Sequence, residues 1–140
     1  MRRQAIGTLI IASLAAFASA GNDARPSRPR LDLRATPRVA FSPAVVFLTA
    51  ELVGGSEMEE YYCPAIEWEW GDGGRSMHES DCPPYQTGGE LERRFTAEHG
   101  FRHAGDYNVK ITMRRGGRVL ATANARIAVR PGLGDTQASE

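Results

Sequence analysis

Between residues 37 and 130 apolar and polar residues alternate with a period of two, not 3.6. Val46, Leu48, Ala50 and Leu52 fall on one face of an extended run, although Phe47 interrupts the polar side. Ile66, Trp68 and Trp70 share a face, with Glu67 and Glu69 on the other. Tyr107, Val109, Ile111 and Met113 alternate with Asn108, Lys110, Thr112 and Arg114. Val119, Ala121, Ala123, Ala125, Ile127 and Val129 continue the rule, opposite Asn124, Arg126 and Arg130. Residues Arg115 to Arg118 enclose Gly116 and Gly117, a hairpin turn in which glycine supplies positive φ without steric cost. Weaker strand signals run from Leu31 to Val39 and from Leu91 to Thr96. With about seven short strands and no helical stripe, the pattern predicts an all-β sandwich.

The flanks read differently. Arg2 and Arg3 precede an uncharged run from Ile6 to Ala20 that closes on Ala18-Ser19-Ala20 before Gly21. This is the layout of a secretory signal peptide over residues 1–20, with cleavage between Ala20 and Gly21. The run is shorter than the ~20 residues that span a bilayer, and no later segment is apolar enough to span one. Residues 21–36, with Arg25-Pro26-Ser27-Arg28-Pro29-Arg30, read as a flexible basic leader, and residues 131–140 as a disordered tail. The domain proper is expected over 37–130, in a periplasmic or secreted protein.

Cleavage would remove Arg2 and Arg3 and no acid, turning the formal net charge of 0 into −2. That balance offers no general attraction to nucleic acid or to an anionic membrane. Charge is nevertheless segregated: eleven acids and one base from Glu51 to Glu92, then nine bases and two acids from Arg93 to Arg130. An acidic calcium face and a basic anion face would explain this. So would cross-strand pairing of outward Glu67 and Glu69 with Lys110 and Arg114, the favoured reading. The two cysteines, Cys63 and Cys82, are expected to form a disulfide in an oxidising compartment. A chain reversal at Gly71 to Gly74 sets them opposite one another across a single hairpin. Closing such a loop contributes about 3 kcal/mol on the chain-entropy model.

The most specific local feature is Trp68-Glu69-Trp70-Gly71-Asp72-Gly73-Gly74, a strand end entering a tight turn. Asp72 can fold back onto turn N–H groups. Later come His99-Gly100-Phe101 and Gly105-Asp106-Tyr107-Asn108-Val109, where Gly105 lets the chain turn into a strand that Tyr107 enters. Together these clusters resemble the PKD domain, an immunoglobulin-like β-sandwich module. Its members show a W-x-F/W-G-D-G turn and an H-x-Y/F-x-x-x-G-x-Y-x-V segment. Trp68, Trp70, Gly71, Asp72 and Gly73 match the first, and His99, Phe101, Gly105, Tyr107 and Val109 the second. The resemblance spans about Thr36 to Val129 and implies that these residues build the fold instead of catalysing. The stretches 56–65 and 75–90 are longer than usual for the family, and each carries one cysteine.

Other chemistry is thinner. His78, Glu79, Ser80 and Asp81 are catalytic residue types, but nucleophile, base and orienting group seldom align among neighbours in one loop. Glu57, Glu59, Glu60, Glu79 and Asp81 could gather oxygen ligands for calcium, without the regular spacing of a known calcium loop. Tyr61, Tyr62 and Tyr85 beside the cysteines offer either an aromatic platform or packing beneath the loops. No cofactor, metal ligand set or phosphate-cradling loop is implied. The expected function is a non-catalytic binding or scaffolding module that contacts an extracytoplasmic protein or polysaccharide through disulfide-tied loops. A calcium-dependent surface protein and a small hydrolase using residues 78–81 are the alternatives.

Overall fold

The computed structural model of the chain describes residues 28–55 and 59–134. The expected signal peptide over residues 1–20 with its Ala20–Gly21 junction, Glu57, and residues 135–140 of the expected tail lie outside them. The strands are β1 (Arg30–Thr36), β2 (Val39–Phe41), β3 (Ala44–Val53), β4 (Ala65–Glu69), β5 (Arg75–His78), β6 (Arg94–Phe101), β7 (Gly105–Arg115) and β8 (Arg118–Arg130). One 3-10 turn, Glu59–Tyr61, precedes β4. A 3-stranded sheet, ordered β1-β3-β6, packs on a 5-stranded sheet ordered β2-β8-β7-β4-β5. Among the described residues there is no α-helix. This is the all-β sandwich that the alternation predicts.

Period-two patterning works because each sheet must bury one face against the other. From β3, Val46, Leu48, Ala50 and Leu52 point inward; from the opposite sheet come Ile66, Trp68, Val109, Ile111, Met113, Ile127 and Val129. Phe47, which blurred the pattern, stands on the outer face with 56% of its surface exposed. In β8 the inward rule holds only for the second half. Met113 opposes Ala121 and Arg114 opposes Val119, so Leu120 has no opposite number. Such a bulge flips the residues beyond it, and Val119 is exposed rather than buried.

Two boundaries differ from expectation. The presumed leader contains β1, which pairs with β3 from Arg30↔Val53 to Thr36↔Phe47 and buries Leu31 and Ala35. Three apolar residues at alternate positions suffice when a long central strand offers a partner, so over Arg30–Thr36 the weak strand signal from Leu31 holds and the leader reading does not. The β4–β5 hairpin pairs Trp68 with Ser76 and Ile66 with His78. Its register is one residue off the alignment that would put Cys63 directly across from Cys82. The chain leaves the ladder after His78, and the cysteines meet beyond it, with Cα atoms 6.1 Å apart. The sequence gives no alternation for β5, whose residues are all exposed.

The acidic and basic halves of the sequence meet face to face. Glu69 lies opposite Lys110 in the β4–β7 ladder and Glu67 opposite Thr112, one step from Arg114. Lys110 Nζ is 2.9 Å from Glu69, and Arg114 Nε is 2.9 Å from Glu67. Arg75 on β5 closes the ladder from the other side, 2.9 Å from Glu69. The hydrogen bond from Lys110, against partial desolvation and with the Lys110, Arg75 and Arg114 charges, lowers the Glu69 pKa below its ordinary value.

Candidate functional site

The residues that carry the resemblance converge at one end of the sandwich. Trp68 and Trp70 are both buried, and their rings stack with centroids 5.4 Å apart. Trp70 in turn stacks on His99 of β6 at 4.3 Å and 2° between planes. His99 meets Phe101 edge-on at 4.8 Å, and Phe101 meets Tyr107 of β7 at 4.3 Å. Since β6 belongs to the 3-stranded sheet, and Trp68 and Tyr107 to the 5-stranded one with Trp70 just beyond the end of β4, this column ties the two sheets together. Aromatic pairs in such geometries each contribute about 1 kcal/mol beyond their buried area.

Asp72 holds the column in register. Its Oδ1 accepts the Gly74 N–H at 2.8 Å, and its Oδ2 lies 2.7 Å from His99 Nε2. The Trp70 N–H donates to the Gly74 carbonyl at 3.0 Å and closes the turn. Partial burial works against ionising Asp72. The His99 and Gly74 hydrogen bonds, with the His99 charge, outweigh it and hold the carboxyl below its ordinary pKa. Gly71 has φ +82, and a Cβ there would come within 2.8 Å of the Asn108 carbonyl oxygen. Gly105 is different: it opens β7 without positive φ, and its missing Cβ leaves room for the Tyr107 ring at 3.4 Å. The Tyr107 hydroxyl donates to the His103 carbonyl at 2.7 Å. Trp70, His99, Phe101 and Tyr107 are thus engaged across the sheets, while Asp72, Gly71 and Gly105 shape the turn and the start of β7.

The second cluster surrounds the Cys63–Cys82 disulfide. Cys63 takes a left-handed backbone, φ 50, between the 3-10 turn and β4. Tyr61 is fully buried, which assigns it to packing. Tyr62 and Tyr85 make an edge contact at 5.2 Å, and the Tyr62 hydroxyl donates to the Pro83 carbonyl at 2.8 Å. These bonds join the loop before β4 to the long segment between β5 and β6. Arg115 adds a further tie, donating to the Glu59 carbonyl. Arg93 was not singled out from sequence, yet its guanidinium bonds the carbonyls of Leu52, Gly54 and Gly55 where β3 ends. Only a contact between distant segments gives it that role, and alternation carries no such signal.

The 78–81 residues do not assemble a catalytic group. His78 Nε2 lies 3.3 Å from Ser80 Oγ, but all four residues are exposed, and no described carboxylate is hydrogen-bonded to the ring. Among the described residues no group of three or more His, Cys, Asp or Glu side chains is placed to hold a metal ion. Nor is any helix among them long and apolar enough to cross a membrane.

No family model matches the chain, and none of the curated proteins does. Among solved structures it is similar to the PKD domain of an M14-like peptidase from a Thermoplasmatales archaeon. That likeness has TM-score 0.52 and 15% identity over 76% of this chain and 99% of that domain. It is also similar, at TM-score 0.43 and 10% identity over 72% and 93%, to a CARDB domain from Pyrococcus furiosus solved in complex with di-metal ions. The first likeness shows the fold: a PKD-like, immunoglobulin-type β-sandwich.

Proposed function

We propose that the protein is an exported, non-catalytic binding or scaffolding module that engages an extracytoplasmic protein or polysaccharide through its disulfide-tied loops. The observation that carries this reading is the Cys63–Cys82 bond beside the Tyr62–Tyr85 pair. It fixes a long segment without regular structure, between β5 and β6, against the loop before β4. Structureless segments of that length inside a compact domain are usually functional. Immobilising them beforehand lowers the entropic cost of binding. The disulfide itself suits an oxidising compartment, which agrees with the signal-peptide layout of residues 1–20.

The test replaces residues 84–90 with a Gly-Ser segment of equal length, leaving both cysteines in place. Partners are then compared by crosslinking in the native cell envelope and on a polysaccharide panel. Loss of the ligands that the unaltered protein captures is the expected result. An identical binding profile would refute the loop assignment.

A further inference from the structure

Six basic side chains of the sandwich have a carboxylate in hand. Arg30 holds Asp32, Arg75 and Lys110 hold Glu69, Arg94 holds Glu51, Arg114 holds Glu67, and Arg118 holds Glu60. Arg34, Arg38 and Arg126 are exposed and have no such partner among the described residues. The fold brings these three together. Two adjoining grooves, of about 590 and 630 Å³, share Arg38, Asn108 and Arg126 in their walls, and Arg34 lines the second. Asp106 is the single carboxylate lining either groove.

The same grooves run along an open strand edge. β2 covers β8 only from Ala128 to Arg130, so from Arg118 to Ile127 the far side of β8 has no hydrogen-bonded strand among the described residues, and β1 of the other sheet runs beside it as the second wall of the groove. Two bonds show which residues aim their backbone that way. The Ala128 N–H donates to the Arg38 carbonyl, and the Arg130 carbonyl accepts from the Ser42 N–H, both at 2.9 Å. Backbone direction alternates along a strand. Thr122, Asn124 and Arg126 therefore present N–H and C=O groups to the same open side, next to the unpaired arginines. An edge of this kind is a template for an added strand. A glycan offers no matching ladder of donors and acceptors, whereas a peptide does.

We propose that this edge binds an extended acidic peptide segment of a partner protein, laid along β8 as an additional strand with its carboxylates on Arg34, Arg38 and Arg126. The site lies at the β2 side of the 5-stranded sheet, opposite the β4–β5 edge where the disulfide-tied loops sit. It stands or falls separately from the loop reading.

The probe is a fluorescent peptide alternating Glu and Val, titrated by anisotropy at low salt against the full folded chain. Saturable binding is expected, weakened at least tenfold in an Arg34→Gln, Arg38→Gln, Arg126→Gln variant whose far-ultraviolet spectrum is unchanged. Tyr62→Ala with Tyr85→Ala should leave this binding intact. The same peptide N-methylated at every second residue, in both frames, should lose at least tenfold in one frame and bind normally in the other. That arm requires no change to the protein. Equal binding of both N-methylated forms, undiminished binding by the triple variant, or no saturation at all would overturn the proposal. So would equally effective displacement by polyuronate or an oligonucleotide at matched charge, which would mean a non-specific polyanion surface.

Discussion

Asp72 does two things at once because its oxygens face different neighbours. One fixes the turn through the Gly74 N–H, and the other reaches across to His99 on the opposite sheet. His99 is meanwhile stacked on Trp70, so the carboxylate orients a ring that is also a packing element. The folded-state pKa of Asp72 is depressed. The stabilisation is therefore present above the pKa of the unfolded chain, about 4, and is lost as pH falls through the lower folded value. Asp72→Asn should cost about 2 kcal/mol near neutrality, the scale of one charge-assisted hydrogen bond. Thermal melts of the two proteins should draw together as pH falls below the unfolded-chain value of about 4 and on through the lower folded value, where Asp72 becomes uncharged. A gap that stays constant from pH 7 to pH 2 would mean that the charge on Asp72 contributes nothing.

Among the elements, the disulfide and the strands teach different lessons. The bond closes a sequence separation of 19 residues, so Cys63→Ser with Cys82→Ser should cost about 3 kcal/mol on the chain-entropy model. Urea titration reads that loss as a lower midpoint. An unchanged midpoint would show that the loops are held by Tyr62, Tyr85 and Arg115 alone. Strands β3, β4, β7 and β8 were legible because each buries one face, and burial writes period two into the sequence. β5 was not, since it adds only an exposed edge to β4 and Arg75, Ser76, Met77 and His78 bury nothing. β1 left only the weak signal from Leu31 to Val39 among the prolines and arginines around it, although Leu31 and Ala35 carry its buried face. The aromatic column was visible as a motif, but its contacts across the sheets depend on β6 and β7 approaching from distant sequence. For the same reason the groove arginines could not be grouped from sequence: Arg34, Arg38 and Arg126 come from β1, the β1–β2 connection and β8.

At the scale of the whole molecule, the segregated charge of the sequence becomes a neutralised ladder on the 5-stranded sheet, with Glu67 and Glu69 held between Arg75, Lys110 and Arg114. The matched aromatic residues are occupied in joining the sheets. The two surfaces proposed for recognition lie at the two edges of the larger sheet: tied loops beside β5 and the stretch of β8 that β2 leaves without a hydrogen-bonded strand. This arrangement requires a sandwich whose centre is tightly paired and whose β8 is hydrogen-bonded on its far side only at its end. Amide hydrogen exchange of the folded chain, read residue by residue, measures both features together. The amides of β3 and β7 that bond within the sheets should exchange slowest and Ala128 should be protected, while Thr122, Asn124 and Arg126 exchange near the rate of free peptide. Protection of those three equal to that of Ala128 would show the edge to be covered, and fast exchange throughout β3 and β7 would contradict the sandwich itself.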